Sequence, residues 1–243
     1  MKTITIRLTS PLQSYGNEAS FNRRTSYHCP SKSAVIGMIG AALGYRRFDS
    51  RLRNLSKLLM AVRIDQPGQI LTDFQIAEYH RNAKATARKL TYRDYLQDAV
   101  FVVALSSEKD DWLDQIAFAL RHPKFQLFLG RLANVPAGPL KIKTFNNKNA
   151  LDVLKEEPWQ ASGWYQRRRQ ASKIFNAEII ADAKLSNIPQ STTLVKDSFG
   201  SFDQKNRFHN YREVTTHNVA LQNKFYQAFD TNHDAFSFIE KGY

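Results

Sequence analysis

The chain has 243 residues, of which 35 are Lys or Arg and 22 are Asp or Glu, so its formal net charge at pH 7 is +13. Its 42% hydrophobic and 12% aromatic content can build a folded core and excludes a chain that is disordered by composition. The single cysteine excludes an intramolecular disulfide framework, and the longest apolar run, residues 34–45, is too short for a membrane span of about 20 residues.

The first predicted elements are a strand and a helix joined by a long loop. Residues 2–8 alternate polar and apolar side chains, which is typical of a half-buried strand. After the loop at 11–30, the apolar residues 34–43 predict a helix with Ser31 or Ser33 as its N-cap. Glycines would leave one face of this helix nearly free of side chains, which predicts close approach of a sheet or another backbone: they are Gly37, Gly40 and Gly44.

The patterns that follow alternate between strands and one more helix. They predict a strand at 58–64, an extended piece at 70–79, an exposed basic excursion at 80–89, a buried strand at 99–105, a helix at 107–122, a short strand at 125–129 and a glycine- and proline-rich loop at 130–139. Without the excursion, the order β-α-β-β-α-β is that of the ferredoxin-like unit that RRM domains also use.

The sequence after residue 139 predicts a second, smaller module. Its weaker patterns predict strands at 141–145, 173–181 and 214–221 and a short helix at 146–157. We therefore predict an α+β protein with a ferredoxin-like, RRM-like domain over 1–139 and a C-terminal module over 140–243.

The positive charge is clustered. Residues 1–60 hold ten Lys and Arg against two acidic residues, a net of +8. Further basic runs lie at 81–93 and 167–169 and around Arg207 and Arg212. Because surfaces of mixed sign are the norm for proteins without anionic ligands, this pattern predicts a polyanion as the partner, with nucleic acid first.

Catalytic and metal-binding patterns are weak. His28 and Cys29 are adjacent and do not present their side chains to each other, the aspartates at 110, 111 and 114 suit the first turns of a helix, and the six histidines lack zinc-ligand spacing. We predict no cofactor and no metal. One enzymatic alternative stays open, a metal-independent ribonuclease in which His28 with Tyr27 and Lys32, or His80 with Lys84, serves a 2′-hydroxyl and its phosphate.

Several blocks in order carry a family resemblance. They are LTSPLQSYG at 8–16, PSKSAVIGMIGAALG at 30–44, YRDYLQDA at 92–99, LFLGR at 127–131, PAGPL at 136–140 and DSFGSFD at 197–203, with Arg207 and Arg212. Together they resemble the CasD family, the subunit of the type I-E CRISPR Cascade complex that holds the 5′ handle of the crRNA. The stretch 132–135, Leu-Ala-Asn-Val, departs from the family's usual cysteine-containing sequence.

The resemblance implies a repeat-associated RAMP protein. It implies a thumb hairpin inserted at about 75–93, a glycine-rich loop at 130–138, and a non-catalytic subunit that caps and kinks the 5′ handle and helps to assemble the complex. The implied partners are the crRNA and the backbone and large subunits of Cascade, with target DNA reached through the complex and no membrane. A related subtype cuts precursor crRNA, which keeps the ribonuclease alternative open.

RNA recognition of this kind needs cations, hydrogen-bonding groups and stacking faces. We predict these at the helix start, in the preceding loop, on the thumb and at isolated arginines. The residues are Ser31, Lys32 and Ser33, then Gln13, Tyr15, Arg23, Arg24 and Tyr27, then His80, Arg81, Lys84, Arg88 and Lys89, and finally Arg46, Arg47, Arg131 and Arg207.

A third alternative is a basic adaptor that docks acidic proteins. An assembly subunit would share this property, through Trp159, Trp164 and the arginines at 167–169. The N-terminus has no apolar signal segment, which predicts a cytoplasmic protein.

Overall fold

The structure is a computed structural model that describes residues 1–16, 22–82, 85–186, 191–203 and 205–228. Its helices are α1 (Lys32–Leu43), α2 (Leu52–Leu55), α3 (Asp110–Arg121), α4 (Ala150–Glu156) and α5 (Gly163–Arg168), with a one-turn 3₁₀ helix at Ala183–Leu185. Its strands are β1 (Lys2–Thr9), β2 (Leu12–Gln13), β3 (Tyr15–Gly16), β4 (Arg23–Arg24), β5 (Ser26–Tyr27), β6 (Leu59–Gln66), β7 (Gln69–Asn82), β8 (Ala85–Gln97), β9 (Val100–Ser107), β10 (Lys141–Asn146), β11 (Ile174–Asp182), β12 (Thr193–Ser201) and β13 (Phe208–Gln222). Within these ranges no helix is long and apolar enough to cross a membrane.

A seven-stranded sheet organises the fold in the order β10-β1-β9-β6-β11-β13-β12. Its first four strands, with the crossover helices α1 and α3, form the βαββαβ unit predicted from the sequence. The two central strands are the first and third of the unit, and β9 pairs antiparallel with both β1 and β6. The mixed α+β, ferredoxin-like fold is therefore confirmed.

The fourth strand of the unit is not the one predicted. Residues 125–129 form no strand, because the N–H groups of Lys124 and Phe125 bond to the last carbonyls of α1, at Ala42 and Ala41. The strand that pairs with the free edge of β1 is β10, with Arg7 opposite Lys141 and Lys2 opposite Asn146. The start of this segment caps the end of α1 instead, and Leu129 at its end bonds to Ser14 and Asn134.

The two faces of the sheet are covered separately. Alternate residues of β1, β6 and β9, such as Ile6, Val62 and Phe101, pack against α1 and α3 in the larger core. The intervening residues, such as Ala61 and Val102, pack against α4 on the other face. This two-sided burial explains why β9 is apolar almost throughout its length.

The glycines of α1 make room for side chains rather than for another backbone. A β-carbon at Gly40 would lie 2.7 Å from Leu52 Cδ2, and one at Gly37 would lie 3.7 Å from the ring of Phe202. Gly44 ends the helix in the left-handed conformation, with φ of 78°. The predicted approach of a sheet or another backbone is therefore wrong at Gly37 and Gly40, where the neighbours are side chains of α2 and of the residue after β12.

The predicted excursion is a long β-hairpin. β7 and β8 pair from Gln69 opposite Gln97 to Asn82 opposite Ala85, so the hairpin extends beyond the predicted residues 75–93 at both ends. We call β7 and β8 the thumb. It leaves the main sheet between β6 and β9, and β8 also pairs with β2 and β4.

Strands on both sides of residue 139 share the main sheet. Besides the β1–β10 pair, β11 pairs with β6 through Ile180 opposite Val62. A second junction is the buried Arg63 of β6, which donates to the carbonyls of Leu154, Glu157 and Pro158. The division into domains 1–139 and 140–243 stays a prediction.

Candidate nucleic-acid interface

Cations converge where the thumb joins the body of the protein. β4 pairs parallel with β8, which places Arg23 opposite Tyr92 and Arg24 opposite Arg93. The Tyr92 N–H donates to the Asn22 carbonyl at 2.7 Å, which fixes this junction. The sequence folds this way because the loop before α1 turns back along the free edge of β8.

Arg131 joins this group from the glycine-rich loop. Its guanidinium lies over the ring of Tyr95 at 4.4 Å from the centroid, and its Nη2 donates to the Arg24 carbonyl at 3.2 Å. Such a stack holds the guanidinium plane parallel to an aromatic face and leaves other donors available. We call Arg24, Arg93, Tyr95 and Arg131 the hairpin root, and Arg23, opposite Tyr92, lies on the other face of the thumb.

Two guanidinium nitrogens at the hairpin root have unused hydrogen-bonding capacity. Arg93 Nε and Arg131 Nη1 are buried and have no hydrogen-bond partner among the described residues. A buried donor without a partner costs about 1–3 kcal/mol, so an acceptor supplied by a ligand would be favourable here. Arg23 differs, because its Nε lies 3.7 Å from Asp94 Oδ2.

A pocket of about 360 Å³ opens beside the hairpin root. Tyr95 and Leu71 line it from the thumb, Pro11 from the segment after β1, and Asn134 and Val135 from the glycine-rich loop. Because Tyr95 lines the pocket and carries Arg131 on its ring, a cation stands at the pocket's edge. Asp73, which lies opposite Arg93 on the thumb, lines the same pocket, so the site combines apolar side chains and positive charge with one carboxylate.

The glycine-rich loop is held against Ser14, the residue between β2 and β3, by a close backbone contact. Gly130 has φ of 93°, and a β-carbon there would lie 1.6 Å from the Ser14 carbonyl oxygen. The Ser14 N–H also donates to the Leu129 carbonyl at 3.2 Å. These contacts set the position of Arg131, the residue that follows Gly130.

The helix start predicted as an anion site is occupied by the protein's own carboxylates. Ser31 caps α1 by accepting from the Ala34 N–H, and the Lys32 N–H donates to Asp197 Oδ2 at 3.0 Å. The buried Lys32 Nζ lies 2.8 Å from Asp182 Oδ2. Ser31, Lys32 and the buried Ser33 are therefore not available to a phosphate, and we leave them out of the proposed RNA-binding set.

Arg212 completes this buried charge cluster. It contacts Asp182 Oδ1 at 2.7 Å and Asp197 Oδ1 at 2.6 Å. Burial alone would raise the pKa of Asp182, but the charges of Lys32 and Arg212 outweigh burial and lower that pKa. Burial opposes the charge of Arg212 as well, yet its bonds to Asp197 and Asp182 raise its pKa. The cluster locks α1 to β11, β12 and β13.

Two residues of the preceding loop lie in the core. Gln13 is buried, donates to the Ala99 carbonyl at 2.7 Å and accepts from the Tyr15 hydroxyl at 2.7 Å. Burial raises the pKa of Tyr15 well above its usual value. Gln13 and Tyr15 therefore position β2 and β3 and present no surface to RNA, whereas Tyr27 is half-buried in β5.

The thumb presents its predicted residues on two faces. Lys89 lies opposite Ala77 and shares a face with Arg93 and Tyr95, whereas Arg88 pairs with Glu78 on the other face, at 3.1 Å. His80 is exposed near the tip. Lys84 lies outside the described residues, and Arg81 is described only in its backbone.

The remaining predicted arginines lie elsewhere. Arg46 and Arg47 are exposed between α1 and α2, which precede β6, whereas the thumb follows β6 at the other end of the strand. Arg207 is exposed at the turn between β12 and β13, at an edge of the main sheet. The structure does not bring these three residues to the hairpin root.

Of the residues considered for catalysis or metal binding, Cys29 is buried and Asp114 is ion-paired, whereas His28 is exposed. Burial, followed by the nearby charge of Asp197, raises the pKa of the Cys29 thiol to about 12. Asp114 pairs with Lys2 at 2.6 Å, and Asp110 and Asp111 lie in the first turn of α3. His28 is exposed after β5, with its ring 6.1 Å from that of Tyr27.

Sequence reasoning missed Arg93 and Tyr95 as site residues. Strand alternation was the available signal, because residues two apart on β8 share a face, which places Arg93 and Tyr95 on the same face as Lys89. No sequence signal placed Arg131 over Tyr95, since 36 positions separate them and the contact depends on the loop at Gly130.

Comparisons with known proteins agree on one family. The family model described as CRISPR-associated protein (Cas_Cas5) matches residues 3–215. The chain is 31% identical over 157 residues to the CRISPR system Cascade subunit CasD of Escherichia coli (strain K12), a match that covers 57% of this chain and 69% of that protein.

Solved structures extend the similarity over nearly the whole chain. A chain of a structure titled "CRISPR RNA-guided surveillance complex" is 27% identical, with a TM-score of 0.73 over 98% of this chain and 100% of that chain. A structure titled "Crystal structure of Cas protein" is 26% identical, with a TM-score of 0.65 over 93% of this chain and 98% of the other.

Proposed function

Because this chain belongs to the CRISPR-associated protein (Cas_Cas5) family and is a subunit of a Cascade CRISPR surveillance complex, we propose that it caps and kinks the 5′ handle of the crRNA without cleaving it. The observation that carries this proposal is the hairpin root, where Arg93 and Arg131 keep unpartnered donors beside an apolar pocket. We propose that the other partners of this protein are the backbone and large subunits of the complex.

The first step is neutralisation of the RNA backbone. Arg93 Nε and Arg131 Nη1 each offer a charged donor, and a phosphate oxygen accepts such bonds strongly. Arg24 stands beside them through the β4–β8 pair. Convergence of three guanidinium groups favours a sharply bent strand, because successive phosphates approach one another only when their charge is neutralised.

The second step is capture of an unstacked base. The pocket beside Tyr95 offers an aromatic wall and apolar side chains from Leu71 and Val135. Single-stranded RNA is recognised by splaying bases out onto aromatic or guanidinium planes. Tyr95 is only 7% exposed and carries Arg131 on its ring, so the plane offered to a base is the Arg131 guanidinium, which Tyr95 supports. Asn134 lines the same pocket, but its side chain is buried and its Nδ2 donates to the Leu129 carbonyl at 3.4 Å, so it supports the loop that carries Arg131.

The third step is interruption of the strand by the thumb. One thumb face carries a contiguous exposed set of large side chains, namely Phe74, Ile76, Leu90 and Tyr92. The other face carries Lys89 and Arg93. A hairpin with one apolar face and one cationic face can separate consecutive bases while it holds their phosphates, which is the kink in our proposal.

The test is removal of the two unpartnered cations. In the Arg93→Gln and Arg131→Gln double variant, we expect affinity for an RNA carrying the 5′ handle to fall about 10-fold or more, and the slope of log K against log salt to become shallower by about 1.4. The measurement is a fluorescence anisotropy titration of the full chain at several salt concentrations.

The matched control removes two exposed cations from another part of the surface, Arg168→Gln and Lys173→Gln, and should leave both the affinity and the salt slope unchanged. Equal losses in the two double variants would contradict the proposed site. The same protein should leave repeat RNA intact with Mg²⁺ or EDTA. Cleavage at one repeat position, abolished by changing His28 or His80, would establish the ribonuclease alternative instead.

A further inference from the structure

A second cationic surface is built around the short helix α2. Three leucines at 52, 55 and 58 are at most 2% exposed and anchor the helix in the core. Gly40 of α1 makes this seat possible, because a β-carbon there would lie 2.7 Å from Leu52 Cδ2. Because the leucines are anchored, the polar side chains between them face solvent in a defined position.

Four exposed cations form a surface that we call the basic corner: Arg53 and Lys57 lie between these leucines, and Arg46 and Arg47 lie in the segment before α2. Over the described residues, no carboxylate lies within ion-pair distance of any of them. The acidic residue of this segment, Asp49, is paired with Arg51 at 2.7 Å, and Arg51 also covers the Tyr45 ring at 4.0 Å. The local charge is thus uncompensated.

The basic corner is remote from the hairpin root. α2 lies just before Leu59, which pairs with Ser106, and the thumb begins after Gln66, which pairs with Val100. The eight residues of β6 separate the two ends by about 25 Å at the usual rise per residue. A ligand that covers only the hairpin root therefore does not reach the basic corner.

We infer that the basic corner binds the phosphate backbone of a second nucleic acid, separate from the RNA at the hairpin root and without reading its sequence. Phosphate contacts come mainly from Arg and Lys and carry no sequence information. The centres of protein interfaces are depleted of charged residues, whereas this surface offers four cations and one exposed large apolar residue, Phe48. The inference goes beyond the proposed function and does not require it.

The experiment compares the full chain with a triple variant, Arg46→Gln, Arg47→Gln and Lys57→Gln. The probes are a duplex DNA of about 30 base pairs and arbitrary sequence and a single-stranded RNA of equal length without the handle. We expect the triple variant to bind the duplex about 10-fold more weakly, with a salt slope shallower by about 2.7. Phe48→Ala distinguishes a duplex from a single-stranded ligand. If bases stack on Phe48, its removal should weaken binding of the single strand only.

The matched control is Arg168→Gln, Lys173→Gln and Lys184→Gln, which removes three exposed cations from another part of the surface and should change affinity less than about twofold. Equal losses in the two triple variants, or an unchanged duplex salt slope in the first, would overturn the inference. So would unchanged nucleic-acid binding with loss of a protein subunit from the reconstituted complex, since that result assigns the surface to an acidic protein.

Handle binding is measured on the same samples. The triple variant should retain its crRNA in the reconstituted complex, whereas the Arg93→Gln and Arg131→Gln variant should lose it and keep its duplex salt slope. Loss of crRNA retention in the corner variant would overturn the separation of the two surfaces. If the Arg93→Gln and Arg131→Gln variant kept its crRNA, that result would count against the proposed function. The basic corner would still be supported by its own titration.

Discussion

Replacing Arg63 with methionine should lower the free energy of unfolding by about 3–5 kcal/mol. Arg63 and Asp65 are fully buried, and Arg63 Nε lies 2.7 Å from Asp65 Oδ1. Burial raises the pKa of Asp65, and the Arg63 charge opposes this increase. Without Arg63, a carboxylate is left in the interior with less compensation, and the carbonyls of Leu154, Glu157 and Pro158 lose their donor. Urea unfolding followed by circular dichroism measures the change.

The control is the same substitution at an exposed ion pair. Arg88→Met removes a 3.1 Å contact with Glu78 on the thumb, where both side chains are more than half exposed. Exposed pairs contribute about 0–1 kcal/mol, so this variant should unfold close to the wild type. If Arg63→Met costs no more than Arg88→Met, Arg63 is not the junction between β6 and the segment after α4.

Replacing Gly130 with alanine should destabilise the protein by about 3 kcal/mol or more and weaken handle binding. The new methyl group would lie 1.6 Å from the Ser14 carbonyl oxygen, so the loop must move. Arg131 follows directly in the chain and would be displaced from Tyr95. Thermal unfolding and RNA titration of one preparation measure the two effects.

Gly138→Ala is the matched control for this prediction. Gly138 has φ of 90°, nearly the same as Gly130, but a β-carbon at 138 would meet no other atom within 4 Å. Alanine at 138 therefore reports the backbone strain alone, about 1–2 kcal/mol, and should leave RNA binding unchanged. Equal destabilisation by the two alanines would mean that contact with Ser14 contributes nothing.

Local patterns in the sequence were sufficient for most of the fold. The alternation in β1, the apolar run of β9 and the stop at Gly44 each reflect residues whose burial is decided by near neighbours. The fourth strand was misplaced because residues 125–129 have a strand-like composition, whereas the backbone of Phe125 bonds to the end of α1 and that of Leu129 bonds to Ser14 and Asn134. Such a choice between helix cap and strand depends on tertiary contacts.

The site was less predictable, for a physical reason. Lys32 has the composition and position of an anion-binding residue, and only the fold brings Asp182 and Asp197 onto it from 150 and 165 positions away. Conversely, Arg93 and Arg131 gain their significance from donors left unpartnered by packing. A sequence supplies the charges, but the pairing of charges is a tertiary property.

The most direct test of the hairpin root is photo-crosslinking of the assembled complex with crRNA that carries 4-thiouridine in the 5′ handle. Mass spectrometry of the crosslinked peptides should place the handle on the segment with Tyr92, Arg93 and Tyr95 and on the loop with Arg131. Crosslinks confined to the basic corner or to the turn at Arg207, with none at the hairpin root, would contradict the account.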